Sequence, residues 1–461
     1  MRFDPLEHQG MATDHLKATM EALLLAGMGL GKTAAVLSAA DWLFADGDMK
    51  GLLVVAPLRV SVLTWPDEVE KWDNFNYMKI ANLRTKGGKR DWDNGAAHIY
   101  TINYEALPRF INERIKGRRA SELPVDSVLF DEVDNAKNPR SKRIRTFRQY
   151  ARPKFRRAWG MTGTPVSNSR LDIFAQVRLI DQGKTFGTKY SPWEKQFFEA
   201  ENHHSDYPKM ILRPGADEDL ERHIAHMALV LRSEDWLKVP PTHTVDIPIS
   251  LPAAAKKTYK KVEKELLEML TDGFEIIAIN AAVLVTKLLQ ITSGAVYVQQ
   301  GEDKSTRRPE TIHTAKLDAL IKLHQKTLKG EPLLVACQYR HEVDRILAAI
   351  PGAQKFTDGA LADWNAGKIP MLVSHPKSIG HGLNLQYGGK AICWFSLGYS
   401  RGMYDQFNAR LIRQGQEHET TIYRLIATGM VDDAVAESLR NKDTDQKAFL
   451  KTLKNIQRLA A

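Results

Sequence analysis

The chain has 461 residues, 43% hydrophobic and 26% charged, which fits a soluble globular protein with room for two sizeable cores and an insertion. Its longest apolar stretches, such as 51–57 and 332–337, are strand-length and too short to span a membrane, and MRFDPLEHQG lacks the apolar core of a secretory signal. A net charge of +10 and a pI near 9.3 suggest a polyanionic partner.

The two cysteines, Cys337 and Cys393, each sit in an apolar run, so buried reduced thiols in an intracellular, cytoplasmic protein are expected and no zinc spacing exists. Charge is also unevenly spread. Between Lys137 and Arg157 there are ten Lys or Arg residues (137, 140, 142, 143, 145, 148, 152, 154, 156 and 157) and no acid. Such a stretch repels itself, and phosphate contacts would relieve it; a solvated helix face is the alternative.

In chain order, strands are expected at 22–26, 52–56, 98–102, 127–130 and 158–161, with amphipathic helices such as 33–44 and 66–72 between them. The alternation predicts an α/β fold, a parallel sheet covered on both faces. The segment 182–240 is mixed and ends in Pro240-Pro241, 253–295 forms a helical insertion, and 299–311 is polar and loop-like. The α/β rhythm returns at 333–337, 371–374, 391–395 and 421–425, and a charge-alternating helix at about 431–459 braces the end. Two doubly wound parallel-sheet domains follow, 1–232 and 233–461.

AGMGLGKT (26–33) lies between an apolar run and a helical pattern, the setting of a phosphate-binding loop. Gly27, Met28, Gly29, Leu30 and Gly31 would curl backbone N–H groups around a phosphate, aided by the helix N-terminus. Lys32 would reach the β- and γ-phosphates of ATP, and the Thr33 hydroxyl would ligate Mg2+. About a hundred residues later VLFDEVD closes a predicted strand, supplying Asp131 for the metal and Glu132 for the attacking water. Asp134 is a candidate for coupling to the next motif.

From here the sequence resembles the superfamily-two helicases, in particular the SWI/SNF-type double-stranded-DNA translocases related to DEAD/DEAH-box enzymes. The resemblance runs in order over nearly the whole chain. FDPLEHQ, with Gln9, resembles the adenine-reading Q-motif; 54–72 resembles motif Ia, 101–107 motif Ib, 131–142 motif II and 161–169 motif III. In the second half, 333–346 resembles motif IV, 378–386 motif V and QFNARLIRQGQ (406–416) motif VI. The resemblance implies two RecA-like domains with ATP between them, Gln406 in the catalytic set, and Arg410 and Arg413 as arginine fingers that reach ATP when the cleft closes. It implies nucleic-acid contacts at Pro57, Tyr104, Lys137, Asn138, Arg143, Thr162, Gly163, Thr164, Gln338, Gly382 and Asn384, with coupling through Thr162 and Thr164.

Departures are Ala-Gly in the phosphate loop where remodellers carry Asp-Glu, DEVD in place of DEAH, and a segment before motif V that resembles compact bacterial or phage members. With no chromodomain, bromodomain, RING or nuclease motif, the expectation is a monomeric ATP-driven translocase on duplex DNA in a prokaryotic or phage-infected cell. A nuclease or a replication or recombination protein is a possible partner. A strand-separating DNA or RNA helicase and a nucleic-acid-binding scaffold with a degenerate ATPase are the alternatives. His203-His204 reads as an exposed pair, Trp65 and Trp72 read as core packing, and Tyr339 and Arg340 as a loop or a DNA contact.

Overall fold

The computed structural model describes residues 1–136, 138, 141–163, 170–200, 210–271, 277–299, 307–379 and 383–441. The chain divides into two compact units, Met1–Leu237 and Lys238–Ala461, so the division falls after Leu237 where the sequence suggested 232.

The first unit holds β1 (Glu21–Ala26), β2 (Leu52–Ala56), β3 (Ile80–Asn82), β4 (Ile99–Asn103), β5 (Ser127–Asp131), β6 (Arg157–Thr162), a small antiparallel pair β7 (Phe198–Ala200) and β8 (Met210–Leu212), and β9 (Ala228–Leu231). Seven of these form one parallel sheet in the order β3-β4-β2-β5-β6-β1-β9. Its central strands β2, β5 and β6 are buried along their whole length and mostly apolar, because both faces are covered. Leu23, Leu25, Leu53 and Val55 enter one core, while Ala22, Leu24, Leu52 and Val54 enter the other. That alternation is the two-residue repeat of an extended chain. Three helices matter for the site: α1 (Glu7–Ala18), α2 (Lys32–Ala45) and α3 (Trp65–Lys71).

The second unit holds β10 (Thr242–Ile249), the antiparallel hairpin β11 (Ala295–Gln299) and β12 (Arg307–Thr311), then β13 (Leu333–Ala336), β14 (Ala353–Lys355), β15 (Met371–Ser374), β16 (Ala391–Trp394) and β17 (Thr420–Ala427). Six make a parallel sheet in the order β10-β17-β16-β13-β15-β14. Two parallel-sheet α/β units are thus present, as expected. The loop expected at 299–311 is corrected at its end, because Arg307–Thr311 pairs with Ala295–Gln299. The helical segment is two helices, Ala253–Thr271 and Ile277–Ser293. Of the expected terminal helix, Val431–Arg440 is helical and 442–459 lies outside the described residues. Both cysteines are buried thiols. Among the described residues no helix is long and apolar enough to cross a membrane.

One buried ion pair ties the helices of the second unit together. Lys316 and Asp432 are 1% and 2% exposed and paired directly. Asp432 also accepts from Thr292 Oγ1 at 2.6 Å and from the Ala427 amide at 3.1 Å. Removing one member of such a pair strands a charge in an apolar core, whereas replacing both by apolar groups does not. Asp432→Ala should therefore destabilise the second unit by about 3–5 kcal/mol in urea unfolding, and the double change Lys316→Met, Asp432→Leu should cost clearly less.

Candidate nucleotide and nucleic-acid sites

The phosphate-type loop joins buried β1 to α2. Gly31 caps α2 with a φ of 71°, a left-handed conformation that favours glycine, and a side chain there would run into the Gln9 amide. Gln9 itself accepts from the Leu6 amide at 3.0 Å and donates to the Leu30 carbonyl at 3.4 Å, so α1 is bonded to the loop. Behind the loop, the Gly27 amide donates to Leu231 at 2.8 Å and Ser233 Oγ to the Met28 carbonyl at 2.9 Å. Lys32 Nζ donates to the carbonyls of Ala26 (3.0 Å) and Gly27 (3.2 Å), which holds the ammonium over the loop. Thr33 stands half-buried in the first turn of α2.

Strand order brings the next two motifs beside this loop, since β6 lies between β5 and β1. Asp131 ends β5 and is 5% exposed; its Oδ2 accepts from the indole Nε1 of Trp65 at 3.0 Å. Glu132 follows with a φ of 54°, a costly conformation for a residue with a side chain. Three donors hold its carbonyl in place: the Asn135 amide (2.9 Å), Asn135 Nδ2 (3.1 Å) and the Tyr104 hydroxyl (3.2 Å). The turned backbone brings the Glu132 carboxylate to the end of β6, where Oε2 accepts from Thr162 Oγ1 (3.1 Å) and the Gly163 amide (3.2 Å). A Cβ on Gly163 would lie 3.1 Å from Met28, 3.2 Å from Lys32 Nζ and 3.6 Å from Glu132 Oε1. The loop lysine, the turned glutamate and the motif III glycine therefore converge on one point. Asp134 is half-buried in the short helix Val133–Ala136.

Several expected nucleic-acid contacts are corrected by burial. Tyr104 is 1% exposed, and its hydroxyl lies 3.0 Å from the Asp131 carbonyl. Burial first, and the nearby carboxylates second, push its phenol well above the ordinary value. It props the end of β5 and does not face a polyanion. Thr162 is likewise 1% exposed and turned to Glu132, so it does not stand on the surface.

Part of the basic stretch is turned inward too. Arg157 donates to the carbonyls of Leu16 and Lys17 at the C-terminal end of α1 (both 3.2 Å). Arg152 donates to Ile180 in the last turn of the helix Ile173–Asp181, and Lys154 to Ile115 at the end of Ile111–Ile115. Cations at helix C-termini satisfy orphan carbonyls and oppose the helix dipole. Burial holds the Arg152 and Arg157 guanidiniums below their ordinary value. Arg143 pairs with Glu105 at 3.2 Å and donates to the Asn135 carbonyl at 3.0 Å. Lys142 and Arg145 are exposed, as are Asn138 and, partly, Pro57. Lys137, Thr164, Gly382 and the pair His203-His204 lie outside the described residues.

In the second unit the motif V and motif VI segments are laced to each other. Arg413 Nη1 donates to the Leu383 carbonyl at 3.1 Å, and the Leu385 amide donates to the Arg410 carbonyl at 3.1 Å. Gln416 is buried, and its amide nitrogen reaches the carbonyls of Gln386 and Gly389, both at 3.1 Å. Arg410 is 8% exposed, with Nε on the Gln406 carbonyl at 3.1 Å, and Gln406 lies half-buried on the helix Arg401–Asn408. Asn384 is exposed between buried Leu383 and Leu385. At motif IV, Gln338 and Tyr339 donate their amides to the fully buried carboxylate of Glu342, at 2.8 and 3.2 Å. Tyr339 is packed beside His341 and not presented as a free loop residue. Sequence reading did not assign Trp65, Ser233 or Glu342 to the sites; a buried indole N–H needs an acceptor, but nothing in the chain order says which one.

These features define a P-loop α/β protein with a second parallel-sheet unit. Residues 11–293 match the SNF2-related domain family, and the chain belongs to that family, one of ATPases. Protein p41 of the Acyrthosiphon pisum secondary endosymbiont phage 1 is 32% identical, over 98% of this chain and 99% of its own length. The DNA repair and recombination protein RDH54 of Saccharomyces cerevisiae (strain JAY291) is 23% identical over 88% of this chain, which spans 46% of the yeast protein. The Sulfolobus solfataricus SWI2/SNF2 ATPase core in complex with dsDNA aligns with a TM-score of 0.45 at 17% identity, over 100% of this chain and 95% of that one.

Tyr104→Phe should cost about 1 kcal/mol in urea unfolding, because the Asp131 carbonyl loses the hydroxyl and the Glu132 carbonyl loses one of its three donors. Being a change in the interior, it should leave any affinity for duplex DNA unaltered in a filter-binding titration; a loss of affinity without a loss of stability would restore Tyr104 to the surface set.

Proposed function

We propose that this chain is an ATP-driven translocase on duplex DNA. The observation that carries the reading is the convergence of Lys32, Glu132 and Gly163 at the ends of β1, β5 and β6. In this reading Lys32 meets the β- and γ-phosphates, and Glu132 orients the attacking water. Thr162 shares a hydrogen bond with that glutamate and so senses its state. Arg410 and Arg413 supply positive charge to the transferring phosphoryl group.

Thr33 and Asp131 offer a hydroxyl and a carboxylate, hard oxygen donors that suit Mg2+. Mg2+ takes few protein ligands and completes its shell with phosphate and water. When bound, Mg2+ would neutralise charge on the phosphates.

Membership of the SNF2-related family and the likeness to a relative named for DNA repair and recombination support DNA as the track. Exposed Asn384, Asn138, Lys142 and Arg145 are the proposed phosphate contacts, which position a backbone without reading bases.

The test compares ATPase activity of the full chain with duplex DNA, single-stranded DNA and RNA, beside triplex-displacement and forked-duplex assays. Duplex DNA should stimulate most and triplex displacement should outpace unwinding; the reverse ranking would favour a strand-separating helicase. Lys32→Ala should lower duplex-stimulated turnover by about a hundredfold or more. Full turnover in that variant would remove the basis of the proposal.

A further inference from the structure

Trp65 has the sequence pattern of a packing residue and is fully buried in the first unit's core. Its indole nonetheless reaches a carboxylate: Nε1 donates to Asp131 Oδ2 at 3.0 Å. The geometry points to Trp65 as a positioning residue that sets the Asp131 carboxylate for a divalent cation, an inference that rests on the proposed reading of Asp131 as the metal-side acid.

Three features carry it. First, an indole N–H is a neutral donor with one fixed direction. It fixes the carboxylate's rotamer while leaving its negative charge in place for a cation, which a lysine or arginine at the same distance would oppose.

Second, the donor is fully buried. Trp65 opens α3 beside Pro66, directly after the π-helical turn Val60–Thr64, and its ring is enclosed by core side chains. A wide turn of this kind shifts the following residues around the helix axis, and such turns recur at functional sites.

Third, the same helical run begins at the motif Ia loop. Ser61 locks that loop, its amide donating to the Pro57 carbonyl at 2.9 Å and its hydroxyl to the Leu58 carbonyl at 2.8 Å. Leu58 and Val62 are 45% and 42% exposed. One short segment thus presents a surface at one end and grips the carboxylate of β5 at the other.

The test reads nucleotide binding, not turnover. A fluorescent non-hydrolysable ATP analogue is bound to the full chain without DNA while Mg2+ is titrated. Trp65→Phe should raise the Mg2+ concentration needed for half-maximal tightening by about tenfold, the scale of a lost hydrogen bond to a charged group. Metal-free affinity should stay the same. Trp92→Phe is the control: Trp92 is buried in the same unit, and its indole N–H has no partner among the described residues. It should leave the Mg2+ dependence unchanged. Benzothienylalanine at position 65 keeps the shape of tryptophan without the N–H, and should reproduce the phenylalanine result even if that variant folds poorly.

A benzothienylalanine chain with wild-type Mg2+ dependence overturns the role of Trp65 alone, and so does a Trp92→Phe chain shifted as far as Trp65→Phe. A wild-type chain whose nucleotide binding ignores Mg2+ overturns the metal reading of Asp131 and this inference with it.

Discussion

Parallel pairing of β5, β6 and β1 is the constraint on which the first unit's site depends. Phe130 pairs with Gly160, Asp131 with Met161, and Leu25 with Thr162. Parallel strands all end at the same edge of a sheet, so three motifs far apart in the chain are delivered together. A slip of one residue in β6 would turn Thr162 away from Glu132 and replace the close approach at Gly163 with a side chain. The apolar faces prevent that slip, because it would also move Ala158 and Trp159 into each other's cores. Packing and site geometry are thus a single requirement.

Within that frame, neutral donors perform the fine positioning. Tyr104 and Asn135 hold the Glu132 carbonyl, Thr162 and Gly163 orient its carboxylate, and Trp65 grips Asp131. None of these donors carries a charge, so the bonds add no positive charge beside the acids. Charge is concentrated instead on Lys32, which leans on two loop carbonyls. In the second unit the same style recurs, with Gln416 binding motif V to motif VI through backbone carbonyls.

How much of this was legible in sequence follows from burial. Strands covered on both faces, such as Leu52–Ala56 and Leu333–Ala336, read as unbroken apolar runs and were found within a residue or two. The short edge strands Ile80–Asn82 and Ala353–Lys355, and the exposed Thr242–Ile249, carry no such signature and were missed. The phosphate loop was legible because its glycines and lysine are local chemistry. The direction of Tyr104 and Thr162 was not, since which side of a strand end faces the core depends on pairing with strands elsewhere. The ten cations of 137–157 looked like one polyanion surface for the same reason: the helix ends that bind several of them lie in distant segments.

Those capped helix ends change what the chain's charge means in solution. A cation already bound to a carbonyl has exchanged its ions for protein, so a polyanion arriving at this face would release counterions from Lys142 and Arg145 and not from Arg152 or Arg157. Since each neutralised phosphate adds about 0.9 to the logarithmic salt slope for duplex DNA, the formal charge of +10 overstates how steeply ionic strength would loosen such a complex. Part of this stretch's basicity is spent inside, on the protein's own backbone.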